Sequence, residues 1–198
     1  MPNDPWTTRR FECAHLRIPT HSQPDQEAYC VPYALWMVVQ YVKNEHPDDD
    51  VRSNTRSVTI DEITDFLEPD PLLGWTPNQS DLTEVSTYVS AVSFSLEQWR
   101  RNPPQDLLEL AEERLENDLP IIGFIDAQML RRGIRGNGPL HSVVIAGVGD
   151  DNAVIADPWY TALHEVPRDK LKDAWDPSHH HIIDVAVDET TSSAGGNQ

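Results

Sequence analysis

The hydrophobic positions of this chain follow a helical period in its first half. Residues 31–42 are almost wholly apolar, and their hydrophobic side chains recur at helical spacing on one face and continue onto the other: Val31, Ala34, Leu35, Met37, Val38, Val39, Tyr41 and Val42. This pattern predicts a helix that is buried on most sides. Pro32 fits its first turn, where a missing N–H costs nothing.

Further helix starts are predicted from capping boxes, in which a hydroxyl residue precedes Glu or Gln by three positions. The pairs are Thr59 with Glu62, Thr76 with Gln79, and Ser95 with Gln98. An amphipathic pattern predicts another helix near residues 105–117. The middle of the chain is therefore predicted to be helical.

The hydrophobic pattern changes after residue 118. Short segments rich in Val and Ile, separated by Gly, Asp and Asn, occur at residues 119–125, 142–148, 153–156 and 182–187. They predict strands of an antiparallel sheet, with one late helix near residues 167–175. Helices that precede strands along the chain indicate the α+β class.

The length of 198 residues allows one sizeable hydrophobic core but is short for two domains. We therefore expect one domain over residues 23–187, preceded by an N-terminal extension over residues 1–22. Residues 188–198 are small and polar, which predicts a disordered tail.

The charge balance is strongly acidic, with 33 Asp and Glu against 15 Lys and Arg and a formal net charge of −18. Such a surface repels nucleic acid and anionic membranes, so neither is an expected partner. Aspartate outnumbers glutamate and lysine is scarce, a pattern that resembles halophilic proteins of a high-salt cytoplasm. No apolar run reaches the length of a membrane span and no signal-peptide core is visible, which predicts a cytoplasmic protein.

Three side chains have the chemistry of a thiol-nucleophile site. Cys30 stands at the start of the apolar helix, where unpaired amide hydrogens and the helix dipole favour a thiolate. His141 opens a buried strand, and Asp157 ends the next strand sixteen residues later. A thiolate needs an imidazole to hold its proton and a carboxylate to orient the imidazole. Taken singly, each residue also fits a structural role, as a small buried hydrophobe, a strand-end histidine or a turn aspartate.

The pairing register of the two strands decides whether the imidazole and the carboxylate meet. A hairpin centred on Gly149 would place His141 directly opposite Asp157, on one face of the sheet. A turn centred on Asp151 and Asn152 would misalign them, unless bulges at Gly147 or Gly149 restored the match. We predict the register centred on Gly149.

Five short segments follow one another between residues 23 and 160. They are Gln23-Pro24-Asp25-Gln26-Glu27-Ala28-Tyr29-Cys30-Val31-Pro32, Gly74-Trp75-Thr76-Pro77, Leu119-Pro120-Ile121-Ile122, His141-Ser142-Val143-Val144-Ile145-Ala146-Gly147 and Ala156-Asp157-Pro158. In this order they resemble the bacteriocin-leader-processing (double-glycine) cysteine peptidase family and its stand-alone, C39-like relatives in the papain-like superfamily.

This resemblance implies a papain-like fold, in which a nucleophile helix packs on an antiparallel sheet. It implies Cys30 as nucleophile, His141 as general base and Asp157 as orienting residue. A glutamine upstream of the cysteine would donate to the oxyanion; we favour Gln23 and keep Gln26 as the alternative. The implied activity is cleavage of a peptide or isopeptide amide through an acyl-thioenzyme, on a peptide or protein substrate and without a cofactor.

Two other functions remain open at this stage. The same three residues would serve an acyltransferase or an amidase, because a thiolate and an imidazole do not specify the leaving group or the acceptor. A catalytically silent peptide-binding module would retain the fold alone. The residue after the cysteine favours that reading, since the family usually has glycine where this chain has Val31.

Two clusters of side chains outside these three residues have the chemistry to bind a metal or a substrate. The run His179, His180 and His181 suggests a metal, but adjacent strand residues point to alternate faces and no second ligand cluster accompanies them, so we predict no metal site. Arg131, Arg132 and Arg135 form a basic segment before His141. They either contact an acidic substrate or lie in a solvated loop, and we favour the solvated loop.

Overall fold

The structure, a computed structural model, describes residues 13–24, 28–99, 103, 106–136, 140–175 and 180–187. Gln26 and the predicted tail over residues 188–198 lie outside them. The helices and strands follow one another as α1 (Cys30–Glu45), α2 (Asp49–Asn54), α3 (Ile60–Leu67), α4 (Gln79–Val89), β1 (Val92–Glu97), α5 (Leu107–Leu115), β2 (Ile121–Ile125), α6 (Ala127–Arg132), β3 (His141–Val148), β4 (Asn152–Ala156), β5 (Leu163–Pro167), α7 (Arg168–Ala174) and β6 (Ile182–Val187).

The strands form one sheet in the order β1-β6-β2-β3-β4-β5, and every neighbouring pair is antiparallel. Alternate residues of β3 face opposite sides, as the pleat of a strand requires. Val144 and Ala146 join the core that contains α1, whereas Val143 and Ile145 join the core formed with α5 and α7. Helices therefore cover both faces of the sheet, and the predicted α+β class is confirmed.

The period of the hydrophobic pattern located most elements correctly. The four predicted strands correspond to β2, β3, β4 and β6, and the helices predicted near residues 105–117 and 167–175 correspond to α5 and α7. The capping box of Thr59 and Glu62 is present at the start of α3. Strands β1 and β5 and helices α2 and α6 were not predicted.

Two of the predicted capping boxes are wrong. Ser95 lies inside β1, which pairs with β6 along all of its residues, and this pairing outweighs a local capping pattern. Thr76 does not begin a helix either. The side chain of Asn78 caps α4 by accepting a hydrogen bond from the Ser80 N–H, so the helix begins two residues after Pro77.

The register predicted for β3 and β4 is wrong by two residues. Gly149 donates its N–H to the carbonyl of Asn152, so the turn is centred between Asp150 and Asp151 rather than on Gly149. The ladder pairs Val144 with Ala156 and Ile145 with Ile155, then shifts by one residue at a bulge before Gly147. Extended towards the start of β3, this register places Trp159 rather than Asp157 opposite His141.

The bulge in β3 is bound to the segment that precedes the predicted domain. Leu16 donates its N–H to the carbonyl of Ala146, the residue that the bulge removes from the ladder. A Cβ atom on Gly147 would stand 2.6 Å from the carbonyl oxygen of Ala14 and 2.7 Å from the Cβ of His15. Residues 14–16 therefore pack closely against the backbone of Gly147, where any side chain larger than a hydrogen atom would collide with them.

The substitution Gly147→Ala is expected to destabilise the fold by about 2–3 kcal/mol, because two backbone segments must separate to admit the methyl group. Urea unfolding of the full chain measures this change in the free energy of unfolding. An unfolding free energy within about 0.5 kcal/mol of the parent chain would show that residues 14–16 do not hold this close contact.

Candidate active site

The thiol of Cys30 is held at the first turn of a long, buried helix. Cys30 is the first residue of α1 and is 8% exposed. Nearly all of the apolar residues that follow it are buried, so the helix cannot shift without opening the core. Val31 is an ordinary helical residue and is not among the described residues with positive φ, so its position does not require glycine.

The imidazole of His141 contacts the carboxylate of Asp157. His141 Nε2 lies 2.6 Å from Asp157 Oδ1, and both side chains are almost fully buried. The same carboxylate oxygen accepts the backbone N–H of Trp159 at 2.9 Å. Because the register error is an even number of residues, Asp157 keeps the face that was predicted for it. With Nε2 occupied, Nδ1 is the ring nitrogen left for Cys30.

The pKa values of Cys30 and His141 are shifted in opposite directions. Burial alone would raise the pKa of Cys30, but the hydrogen bond and the charge of His141 outweigh it and lower that pKa, with smaller contributions from Ser142. Burial alone would lower the pKa of His141, yet the charge and hydrogen bond of Asp157, together with Cys30, raise it to about 9. The arrangement therefore favours a thiolate beside an imidazolium.

The pKa of Asp157 also depends on this contact. Burial would raise it, but the charge and hydrogen bond of His141, the N–H of Trp159 and the charge of Arg131 lower it overall. The carboxylate is therefore ionised when the imidazole is protonated, which fixes the orientation of the ring.

A cleft of about 500 Å³ opens at the thiol. This size is typical of ligand sites. Its lining residues are Gln23, Ala28, Cys30, Val31, Leu73, Gly74, Trp75, Pro77, Phe124, Leu140, His141 and Trp159. Gln23 is buried, and its N–H donates to the carbonyl of Pro158 at 2.6 Å, close to Asp157 in sequence. The structure thus brings Gln23, Cys30 and His141 to one cavity, whereas Gln26 lies outside the described residues.

One wall of the cleft is a tight turn. Asp70 and Gly74 exchange two backbone hydrogen bonds, and the Asp70 carboxylate accepts the N–H groups of Leu72 and Leu73 at 2.8 Å. Gly74 has a φ of 82°, which favours glycine. The turn holds the backbone of Gly74 beside the carbonyl of Ala28 and leaves the side chains of both leucines largely exposed.

The sequence profile of the Peptidase_C39 like family matches residues 15–183, most of the chain. The chain belongs to this family. The family resemblance predicted from the five segments is therefore confirmed. Membership of a peptidase family supports an enzymatic, cysteine peptidase activity for the chain. The comparison with curated proteins found no match.

Solved structures of C39 peptidases share the fold of this family member. A C39-like peptidase from Bacillus anthracis is 16% identical, with a TM-score of 0.60 over 88% of this chain and 98% of that one. The peptidase domain of Streptococcus ComA, a bi-functional ABC transporter, is 16% identical, with a TM-score of 0.55 over 87% of this chain and 100% of that one. These likenesses show the papain-like fold, as the resemblance implied. In the parts of the chain that the structure describes, no helix is both long and apolar enough to cross a membrane.

Arg131 of this C39-like chain contacts the site, contrary to the prediction of a solvated loop. It lies in α6, and its guanidinium carbon is 3.8 Å from the ring centre of Trp159, which also contacts His141 and Asp157. Its Nη2 is 3.6 Å from Asp157 Oδ2. Arg132 and Arg135 are exposed, as predicted. No local sequence pattern connects Arg131 to Asp157 and Trp159, so sequence reasoning could not predict this contact.

Two residues of the histidine run, His180 and His181, make structural contacts, and the ring of His181 packs edge-on against Phe124, which lines the cleft. His181 Nε2 is 3.1 Å from Gln98 Oε1, and His180 Nδ1 is 3.3 Å from the carbonyl oxygen of Trp99. The ring of His180 also packs edge-on against Trp175. His179 lies outside the described residues.

Proposed function

We propose that this chain is a cysteine peptidase that cleaves a peptide or isopeptide amide through an acyl-thioenzyme. The observation that carries the proposal is the buried series of thiol, imidazole and carboxylate formed by Cys30, His141 and Asp157, of which Cys30 and His141 line one cleft. Family membership supports the same reaction class.

In the proposed mechanism, the Cys30 thiolate attacks the carbonyl carbon of the scissile amide. The resulting oxyanion accepts hydrogen bonds from the backbone N–H of Cys30 and from the side chain of Gln23. The imidazolium of His141 donates its Nδ1 proton to the leaving amine, and the C–N bond breaks to give a thioester. Neutral His141 then takes a proton from water, which attacks the thioester and releases the acid and the thiolate.

Asp157 holds the imidazole through this cycle. Its Oδ1 accepts the Nε2 hydrogen, which fixes the tautomer and directs Nδ1 to the thiol. The N–H of Trp159 on the same oxygen restrains the carboxylate. The proposed substrate is a peptide, because the cleft is largely apolar and has the volume for more than one side chain.

Product analysis tests this function. The chain is incubated with mixed peptide and isopeptide substrates, with and without an added amine, and the products and any adduct on Cys30 are identified by mass spectrometry. Hydrolysis that consumes water and passes through a Cys30 thioester supports a peptidase. Products formed only with the added amine would support an acyltransferase, and cleavage restricted to small non-peptide amides would support an amidase.

The substitution Gln23→Ala is expected to lower kcat by about 100-fold with little change in KM, because the lost donor acts on the oxyanion of the transition state. Gln40→Ala is the matched control. Gln40 lies on α1 about 15 Å along the helix from Cys30 and donates to the carbonyl of Val58. Equal losses in the two variants would exclude Gln23 from the oxyanion site and leave Gln26 as the candidate.

A further inference from the structure

A three-layer stack of side chains closes the outer side of the imidazole. The rings of His141 and Trp159 lie nearly parallel, at 19°, with their centres 4.0 Å apart. The guanidinium carbon of Arg131 lies 3.8 Å from the centre of the same indole. Each face of an indole has room for only one group at this distance from its centre, so the imidazole and the guanidinium cover opposite faces.

The indole in this stack is partly exposed to solvent. Trp159 is 40% exposed, which is unusual for a tryptophan that contacts a buried pair of ionised groups. A cation over an aromatic face is attracted by the ring, by about 0.5–1 kcal/mol at exposed sites and more where the contact is desolvated. Arg131 is therefore placed to press the indole onto the imidazole, where it shields the bond between His141 and Asp157 from water.

Arg131 also contacts the carboxylate that orients the imidazole. The two oxygens of Asp157 face different cations, with Oδ1 at His141 and Oδ2 at Arg131. The charged groups that act on His141 and Asp157 include Cys30 from α1 and Arg131 from α6, besides the two residues themselves. Arg131 therefore interacts with the same carboxylate charge of Asp157 that stabilises the His141 imidazolium.

The short helix that carries Arg131 is firmly anchored. The buried carboxylate of Asp126 accepts the N–H groups of Gln128 and Met129 at the start of α6 and that of Gly136 after its end. The Asp126 N–H donates to the carbonyl of Ala174 in α7. These bonds fix both ends of the segment, so the position of Arg131 is set by the fold.

We propose that Arg131 is a positioning residue that clamps Trp159 onto the His141 ring and shares the charge of Asp157. The proposal rests on the proposed function, in which His141 must both donate and accept a proton. Asp157 alone would stabilise the imidazolium so strongly that it became a poor acid towards the leaving amine. A second cation on the carboxylate limits that stabilisation.

The test compares Arg131→Gln, which loses the charge, with Arg131→Lys, which keeps it, in the full chain. Glutamine and lysine both favour helices, so α6 is retained. Arg132→Gln is the matched control, because Arg132 is the exposed neighbour in the same helix. The pKa of His141 is read by NMR titration of its ring proton, assigned by the loss of that signal in His141→Ala.

We expect the titration of His141, near pH 9 in the parent chain, to move upwards by about 0.5–1 unit in Arg131→Gln. It should stay within about 0.2 unit of the parent in Arg131→Lys and in Arg132→Gln. Peptide hydrolysis should fall about tenfold in Arg131→Gln and recover in part in Arg131→Lys.

An unchanged His141 titration in Arg131→Gln would overturn the proposal, whatever happened to the hydrolysis rate or the stability, because a merely structural role would alter those without moving the titration. The NMR measurement needs no turnover. A chain that cleaves no peptide but shows the titration shift therefore rejects the peptidase function and retains the role of Arg131.

Discussion

Replacement of Cys30 by alanine is expected to abolish amide hydrolysis, with a loss of at least about 10⁴-fold in kcat. The expectation follows from the position of the thiol in the cleft, where its pKa is lowered by His141 in spite of burial. Without the sulfur, no nucleophile remains beside the imidazole, and the thioester cannot form. The measurement is the steady-state rate of peptide cleavage together with the search for an acyl adduct.

Cys13→Ala provides a matched control for this loss, because Cys13 is the other cysteine of the chain and is partly exposed. Burial and the charge of Glu165 raise the pKa of the Cys13 thiol, so this thiol is protonated and weakly reactive at neutral pH. Cys13→Ala should retain the parent rate. Activity that survives in Cys30→Ala and disappears in Cys13→Ala would show that Cys13, and not Cys30, is the nucleophile.

Replacement of His141 by alanine is expected to have the second-largest effect, a loss of about 10³-fold or more in kcat. It removes the acid for the leaving amine and the charge that stabilises the thiolate. Burial then dominates at Cys30, so its pKa should rise to or above the ordinary value of about 8.5. Alkylation of Cys30 at pH 6 by a neutral reagent should slow by about 100-fold.

The alkylation profile also separates a peptidase from a silent binding module. In a silent module the Cys30 thiol would react only near its ordinary pKa, and His141→Ala would not change the rate of alkylation.

The pKa of His141 sets the upper pH limit of hydrolysis. Because its pKa is raised to about 9, the imidazolium is present below that pH and is lost above it, so hydrolysis should decline as the pH rises through about 9.

The residues of the candidate site could be selected from the sequence because their signals are local. An apolar segment that begins at a cysteine predicts a buried helix with a thiol at its start, and α1 has that form. A histidine before a run of Val and Ile predicts a strand end, and His141 is the first residue of β3. These patterns concern a few neighbouring residues, so they do not depend on the rest of the fold.

The register of the hairpin and the contact with Arg131 depend on distant residues and were not predicted correctly. The bulge in β3 is bound by Leu16, more than a hundred residues away in sequence, and it shifts the pairing that the hydrophobic pattern alone would give. His141 and Asp157 still meet because the net error in the predicted register is two residues, which preserves their face. Arg131 reaches the site because it lies in α6, a helix that the hydrophobic pattern does not predict and that the Asp126 carboxylate anchors.

The central claim, that Cys30 is a thiolate stabilised by His141 at neutral pH, is tested most directly by ultraviolet absorbance of the thiolate. The pH titration is recorded for Cys13→Ala and for the double variant that also carries Cys30→Ala, and the difference isolates Cys30. We expect the thiolate to form well below the ordinary thiol pKa of about 8.5. A thiolate that forms only at or above that pH would contradict the account.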